Sequence, residues 1–355
     1  MNAGEKERIM SLWLVRAGAY GEHEQKFLDD GRLYLTWENL TEVPLSEASN
    51  YDEIKALIQK YHPDEKSRKI GNWSGQIWAF ALAIKKGDWV VVPSKKSSTI
   101  AIGEVESDYH FDSEAKPLYR HYRKVKWLNK AVPRSAFDQD LLYSFGAFLT
   151  VCEIKRNDAE ARVKEMAKNS WTASNVRKTS LVAFVPTDTE NQADVFDLEQ
   201  LSRDAIARLI IQKFKGHGMA RLVEAILQAQ GFTTYRSPEG PDKGIDILAS
   251  GGPFGFDHPR ICVQVKSGDS PVDRPEFQQL IGAMNDVKAD QGLFVAWGDF
   301  KQTVYREVPA KFFTVRLWNQ NDLIENLLIN YDKLDQDIKA ELPLKQIWTL
   351  AASEI

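Results

Sequence analysis

One predicted strand of the chain reads ICVQVKSG over residues 261–268. Its odd-numbered positions through Val265 are apolar, and the alternating positions end in Gln264 and Lys266. Because successive side chains of a strand point to opposite faces of a sheet, the amide and the ammonium share one face. An edge strand with a solvated polar face would show the same pattern, so a site here needs a carboxylate from elsewhere in the chain.

A second predicted strand, IDILA at residues 245–249, supplies that carboxylate. Its apolar positions alternate, which leaves Asp246 on the opposite face. If the two strands pair as a hairpin across the turn GGPFG, then Asp246, Gln264 and Lys266 converge on one face. Hydrolysis of a phosphodiester needs a hard cation, a deprotonated water and relief of charge in the transition state, and these three groups suit that chemistry.

Each residue of this set has an expected role. Asp246 would hold Mg²⁺, which prefers oxygen ligands, or Mn²⁺ in its place. The side-chain carbonyl of Gln264 and the backbone carbonyl of Val265 would add oxygen ligands. Lys266 would orient or deprotonate the attacking water, or stabilise the developing negative charge, because a lysine beside a metal can have its pKa lowered.

The two segments GPDKGIDILA and ICVQVKSG together resemble the PD-(D/E)xK nuclease signature in its Mrr-like form, in which glutamine replaces the middle acid. The order of predicted helices and strands is similar to the Mrr catalytic domain over about residues 206–325. The resemblance implies a restriction-endonuclease-like α/β/α sandwich with a mixed sheet. It also implies the catalytic set Asp246, Gln264 and Lys266, with Asp242 at an acidic loop position.

The predicted first helix of this domain, MARLVEAILQAQGF, departs from the family pattern. The family usually has a glutamate on this helix, and the corresponding position is Ala220. Glu224 lies one turn further along, on about the same side of the helix, and could reach the site instead. A solvated Glu224 without a catalytic role is the alternative.

The first part of the chain predicts a different domain. Apolar strands and short helices in its order indicate a partly closed β-barrel with helices packed outside. The stretch GNWSGQIWAFALAIKKGDWVVVPSK, followed by IAIGEV, resembles the PUA-like group that includes EVE and YTH domains. That resemblance implies a pocket for a flipped, modified base. The expected aromatic walls and polar contacts are Trp37, Trp73 and Tyr109, with Asn72 and Ser74; buried structural side chains are the alternative for each.

A basic segment also lies in this part of the chain. Residues 116–134 read KPLYRHYRKVKWLNKAVPR, without an acidic residue and with aromatic residues interleaved. Basic side chains neutralise phosphates and aromatic faces stack on bases, so the segment predicts a nucleic-acid surface in spite of a net charge of -4. We expect contacts with the DNA backbone from Arg120, Arg123, Lys124 and Lys126; a strand with one solvated basic face is the alternative.

Length and composition set the organisation of the chain. With 355 residues, more than one domain is expected. We predict a PUA-like domain at 1–155, a helical and acidic linker at 156–205, a nuclease domain at 206–330 and a helical tail at 331–355, an α/β protein (α+β overall). No apolar stretch reaches the ~20 residues of a membrane helix, and the N-terminus lacks a signal sequence, so we expect a cytoplasmic protein without a membrane partner. Two isolated cysteines and six scattered histidines indicate neither disulfides nor zinc.

The predicted function combines these two domains. We expect a Mg²⁺-dependent endodeoxyribonuclease that reads a modified base in double-stranded DNA and cuts foreign DNA in antiphage defence. Cleavage of both strands needs two active sites, so a homodimer is expected. Two alternatives remain: a structure-specific nuclease of repair or recombination, and a non-catalytic nucleic-acid-binding protein with a degenerate nuclease fold.

Overall fold

The computed structural model describes residues 10–37, 40, 42–171, 197–238 and 244–348. Contacts divide these described residues into two compact units, one through Leu201 and the other from Ser202 onward. None of the helices within the described ranges combines the length and the apolarity needed to cross a membrane.

The first unit is built on a mixed sheet. Its strands are β1 (Leu12–Val15), β2 (Arg32–Tyr34), β3 (Trp89–Pro93), β4 (Thr99–Val105), β5 (His110–Phe111), β6 (His121–Pro133) and β7 (Val151–Glu153). Its helices are α1 (Glu24–Asp30), α2 (Tyr51–Tyr61), α3 (Ser67–Trp78), α4 (Gln139–Ser144) and α5 (Ala159–Lys168). A π-helical turn, Ala79–Ala83, continues α3.

The strands of this unit follow the order β2-β6-β4-β3-β1-β7, and β5 pairs with β6. The β1–β3 pair is parallel and the other pairs are antiparallel. The sheet curls into a half-barrel with helices against it, which confirms the predicted partly closed barrel.

Both faces of the central strands are buried, as the alternation along β1 shows. Leu12 and Leu14 lie in the cluster that includes α4 and α5, whereas Trp13 and Val15 lie in the cluster with α1, α2 and α3. Helix α5 contributes Val163 to the first of these clusters. Part of the predicted linker at 156–205 is therefore packed helix.

The second unit begins within α6 (Leu198–Phe214). Its strands are β8 (Thr233–Arg236), β9 (Ile247–Gly251), β10 (Asp257–Lys266), β11 (Gln291–Ala296) and β12 (Val315–Trp318). Its further helices are α7 (His217–Ala229), α8 (Arg274–Asp286), α9 (Gln302–Tyr305), α10 (Gln320–Asn330) and α11 (Gln336–Glu341).

The strands of the second unit follow the order β12-β11-β10-β9-β8. Strands β10, β11 and β12 are parallel, and β8 and β9 are antiparallel to their neighbours. Along β10, Cys262 packs with α8, whereas Val263 packs in the cluster that includes α6, α7 and α10. Helices cover both faces of the mixed sheet, which confirms the predicted α/β/α sandwich.

Candidate active site

The start of β9 and the end of β10 bring three predicted site residues to one face of the sheet. Ile247 is the register partner of Val263, and the N–H of Asp246 donates to the Val263 carbonyl at 3.0 Å. Asp246, one residue before β9, therefore lies opposite Gln264. Lys266 is two residues further along β10, so it shares the face of Gln264. This is the face on which α8 packs.

The Asp246 carboxylate is held in place by the neighbouring strand. Its Oδ2 accepts a hydrogen bond from the Val265 N–H at 2.7 Å, and its own carbonyl accepts from the Ser237 N–H at 2.9 Å. In an extended strand the N–H and C=O of one residue point to the same neighbour. The Val265 carbonyl therefore also points towards the edge where Asp246 lies.

The Gln264 side chain is buried and incompletely satisfied. It is 2% exposed, and no described residue donates a hydrogen bond to its Oε1. Its Nε2 lies against Gly244, where an added Cβ would be 3.3 Å away and where φ is +80°. A buried oxygen without a donor costs about 1–3 kcal/mol, so a ligand is expected at Oε1.

These oxygens fit a hard divalent cation. The Asp246 carboxylate, the Gln264 Oε1 and the Val265 carbonyl are the donor types that Mg²⁺ and Mn²⁺ prefer. Within the described part of the chain, no group of three or more His, Cys, Asp or Glu side chains could hold a metal. A cation at this site would therefore depend on neutral oxygens and bound water in addition to Asp246.

Lys266 is the last residue of β10. The backbone carbonyl of Lys266 accepts a hydrogen bond from the Trp297 N–H at 2.8 Å, which fixes the end of the strand. The side chain is half-buried, and it has no hydrogen-bond or ion-pair partner among the described residues. The ammonium is thus available to an anionic ligand.

Cys262 lies on the same face but has no part in this chemistry. Burial, and next the negative charge of Asp246, raise the pKa of the Cys262 thiol to about 11. The group stays protonated at neutral pH, and its side chain is fully buried against α8.

The structure does not bring Glu224 to these residues. Its carboxylate accepts from Arg236 Nε at 2.8 Å and from the Thr234 hydroxyl at 3.1 Å, both on β8. It projects from α7, which packs on the other face of the sheet. Ala220, at the family's glutamate position, is buried in that same core. The fifth predicted residue, Asp242, lies outside the described residues.

Gly244 is the site residue to which the sequence analysis gave no role. Its positive φ strains any residue with a Cβ, and the close approach of Gln264 Nε2 leaves little room for one. The available signal was a glycine two residues before Asp246, at the end of a loop rich in Pro, Gly and Asp.

In the first unit, the structure pairs two of the predicted pocket walls. The rings of Trp37 and Trp73 have centroids 6.2 Å apart with planes at 43°, and both are half-buried. The His62 ring meets Trp73 edge-on at 5.2 Å, and the Lys69 ammonium lies 4.7 Å from the centroid of a Trp73 ring. Asn72 accepts a hydrogen bond from the Gln76 amide at 3.2 Å.

The other two predicted pocket residues make structural contacts instead. Ser74 is fully buried, and its hydroxyl donates to the Ile70 carbonyl at 2.6 Å. The Tyr109 hydroxyl accepts from the Leu45 N–H at 3.0 Å and bonds to His121 Nδ1 at 2.7 Å. Burial raises the pKa of Tyr109.

The prediction that Arg123 contacts the DNA backbone is wrong. Its side chain is 2% exposed and donates to the Phe80 and Ala81 carbonyls of the π-helical turn at 2.6 and 2.8 Å. Burial lowers the pKa of the guanidinium to about 10. Arg123 therefore has a structural role. Its guanidinium donates to carbonyls that the π-helical turn leaves to be satisfied by a side chain.

The neighbouring basic residues differ in their exposure. Lys124 and Lys126 are exposed on the other face of β6, whereas Arg120 is half-buried and donates to the Ala115 carbonyl at 3.3 Å. Arg32 of β2 lies directly opposite Lys124, and its guanidinium is 4.2 Å from the Tyr122 ring centroid. Arg32 was not predicted from the sequence, because it is distant in the chain from the basic segment at residues 116–134.

Comparisons with known proteins give a different family match for each of the two units. A family model described as restriction endonuclease, Mrr_cat, matches residues 211–327. A model for a domain of unknown function, DUF8426, matches residues 13–143. No curated protein matches the chain.

The solved structures to which this chain is similar include two restriction endonucleases. The DNA modification-dependent restriction endonuclease AspBHI is 13% identical, with 77% of this chain and 72% of that chain covered and a TM-score of 0.33. The MspJI restriction endonuclease in complex with a 27-mer oligonucleotide is 12% identical, with 94% and 80% covered and a TM-score of 0.31. The protein of unknown function AF1548 is 17% identical, with 38% and 77% covered and a TM-score of 0.24. Residues 211–327 are therefore similar to the restriction endonuclease catalytic domain that this family model describes.

Proposed function

We propose that this chain is a Mg²⁺-dependent endodeoxyribonuclease that cleaves double-stranded DNA carrying a modified base. The observation that carries the proposal is the buried Gln264 Oε1 without a described donor, together with the fixed Asp246 carboxylate and the Lys266 ammonium, which has no partner among the described residues. These groups lie within the residues that match the restriction endonuclease model. Such an oxygen cluster and a cationic side chain suit phosphodiester hydrolysis.

The residues of the site divide the work between holding the cation and acting on the substrate. Asp246, Gln264 Oε1 and the Val265 carbonyl would hold Mg²⁺, or Mn²⁺ in its place; when bound, it polarises a phosphoryl oxygen and acidifies a water ligand. The Val265 N–H fixes the Asp246 carboxylate for this purpose. Lys266 orients the attacking water and stabilises the charge that develops on the phosphoryl oxygens. The water oxygen forms the new P–O bond, and the leaving ester oxygen takes up a proton.

The first unit would select the DNA. The half-buried Trp37 and Trp73 offer aromatic faces on which a flipped base can stack, and Lys69 adds a cation beside them. Arg32, Lys124 and Lys126 would contact the backbone phosphates. In this proposal the substrate is modified foreign DNA, the setting is antiphage defence, and two copies of the chain cut the two strands.

A cleavage screen tests the proposal. The full chain is incubated with Mg²⁺ and phage genomes that carry different cytosine and adenine modifications, with unmodified copies of the same DNA as controls. We expect double-strand cleavage of at least one modified genome, and little cleavage of its unmodified copy. Equal inertness toward all of these genomes would reject the proposed activity, and equal cleavage of modified and unmodified DNA would reject the proposed selectivity.

One observation favours a second candidate function, DNA binding without cleavage. Ala220 replaces the usual glutamate and Glu224 is bound by Arg236, which leaves Asp246 as the carboxylate of the site among the described residues. Calorimetry separates the two candidates. Mg²⁺ or Mn²⁺ binding that disappears in Asp246→Ala supports the nuclease, and absence of binding in the unmodified chain supports the second candidate.

Substitution of Glu224 tests whether this residue belongs to the site. We expect Glu224→Gln to leave the cleavage rate within about twofold, because its carboxylate lies on the other face of the sheet. The free energy of unfolding should fall by about 1 kcal/mol or less through loss of the Arg236 ion pair. Cleavage rates and urea unfolding measure the two effects. A fall in rate of about 100-fold with an intact fold would instead place Glu224 in the metal site.

A further inference from the structure

The nuclease unit has an exposed aromatic surface formed by β8 and the turn between β9 and β10. It consists of Tyr235 on β8 and of Phe254 and Phe256 in the turn between β9 and β10, which are 59%, 79% and 74% exposed. The two phenylalanine rings stack with centroids 6.3 Å apart. A cluster of large exposed aromatic side chains is typical of an interaction surface.

A groove of about 290 Å³ lies beside these rings. Its lining includes Tyr235, Leu248, Phe254, Ile261, Val287 and Ala289. The hydroxyls of Thr233 and Ser250, which also line it, donate to the carbonyls of Gly252 and Gly255. The groove therefore presents mainly apolar surface, and it suits an apolar side chain better than a polar ligand.

We propose that a second copy of this chain occupies the groove with its own Phe256. Phe256 is exposed and does not line the groove on its own chain. The same surface therefore carries a projecting side chain, Phe256 (the knob), and a groove that can accept it (the hole). Two such surfaces related by a twofold axis satisfy each other reciprocally. Charge agrees with this arrangement, because exposed Asp257 follows the knob and exposed Arg260 lines the hole, so insertion brings Asp257 towards Arg260 of the second copy.

The area of the surface predicts the strength of this dimer. Three partly exposed aromatic side chains bury on the order of 400 Å² per copy. A standard interface buries about 800 Å² per partner, so the dimer should be weak and in reversible exchange with the monomer. It would still place two nuclease units in one particle, as cleavage of both strands requires. The interface itself does not depend on the proposed cleavage activity.

Sedimentation equilibrium of the full chain, without DNA or metal, tests the interface. The variants are Phe256→Ser, which removes the knob, and Ala289→Trp, which fills the hole. The matched control is Phe313→Ser, because Phe313 is 85% exposed and lies outside the groove. We expect a concentration-dependent dimer for the unmodified chain and for the control, and an association constant at least about 10-fold lower for each of the two variants.

An equimolar mixture of Phe256→Ser and Ala289→Trp gives the sharpest result. Each variant alone loses both reciprocal contacts, whereas the mixed pair can form one, so the mixture should associate more strongly than either variant alone. Melting curves by circular dichroism check that each variant is folded, and Phe254→Ser is a second variant of the aromatic turn.

Several outcomes would overturn the proposal. They are an unmodified chain that stays monomeric at all concentrations, a folded Phe256→Ser variant that dimerises normally, and a mixture without recovery. If Phe256→Ser weakens DNA binding but leaves self-association unchanged, the aromatic surface binds DNA and the dimer interface lies elsewhere. Sedimentation equilibrium is measured without DNA. A failure to dimerise in that experiment is therefore distinct from a failure of the proposed nuclease activity.

Discussion

Asp246→Asn will abolish cleavage, with a fall in rate of at least about 1,000-fold, because the only charged oxygen donor described at the site is removed. Asparagine keeps an oxygen that can accept the Val265 N–H, so the strand pairing around the site should survive. The expected loss therefore reflects metal binding and not unfolding. Single-turnover cleavage of the modified DNA found in the screen measures the rate, and calorimetry with Mg²⁺ or Mn²⁺ measures binding.

The matched control for this variant is Asp286→Asn. Asp286 is an exposed aspartate at the end of α8, away from the start of β9, so its loss changes the net charge by the same amount. We expect the control to bind metal and to cleave normally. Normal metal binding by Asp246→Asn would place the cation on other ligands and remove the basis of the proposed site.

The sequence predicted the shared face of this site because strand alternation is a local property. Gln264 and Lys266 are two residues apart, and Asp246 directly precedes the strand that pairs with theirs across a short turn. Periodicity and one hairpin therefore predict the shared face. The register that sets Asp246 opposite Gln264 depends in addition on an irregularity of β10 between Asp257 and Ile261. The mixed sheet could also be predicted, because the order of strands and helices can be read along the chain.

Burial of charged side chains was harder to predict. Arg123 lies among exposed lysines in the sequence, but its position on β6 points it at the carbonyls of the π-helical turn. Alternation separates Arg123 from Lys124 and Lys126, yet nothing local shows which of the two faces is covered. The irregular turn that accepts the guanidinium is more than forty residues away in the chain.

Glu224 shows a related difficulty. Glu224 lies one helical turn after Ala220. From the sequence it could therefore either reach the site as a catalytic residue or lie in solvent. The structure adds a third arrangement, an ion pair with Arg236 on β8. This pairing depends on how α7 packs against the sheet, which helical periodicity alone does not specify. Gly244 was missed for a similar reason, since its contact with Gln264 exists only in the folded unit.

The second large effect is expected for Lys266→Met. Methionine keeps much of the length and apolar stem of lysine but removes the ammonium, so the end of β10 should remain packed. Loss of a positive group that acts on the transition state typically lowers a rate by about 100-fold to 1,000-fold. We expect a fall of this size in single-turnover cleavage. Metal binding should be unchanged or slightly tighter, because the ammonium repels a cation at the same site.

Lys213→Met is the control for the loss of one lysine, because Lys213 is exposed on α6. It should cleave at the normal rate. The two site variants then separate the roles within the site: Asp246→Asn loses metal binding and cleavage together, whereas Lys266→Met loses cleavage and keeps metal binding. If Lys266→Met cleaved normally, the Lys266 ammonium would have no part in the chemistry. The charge that develops on the phosphoryl oxygens would then have to be stabilised by the cation or by a residue outside the described chain.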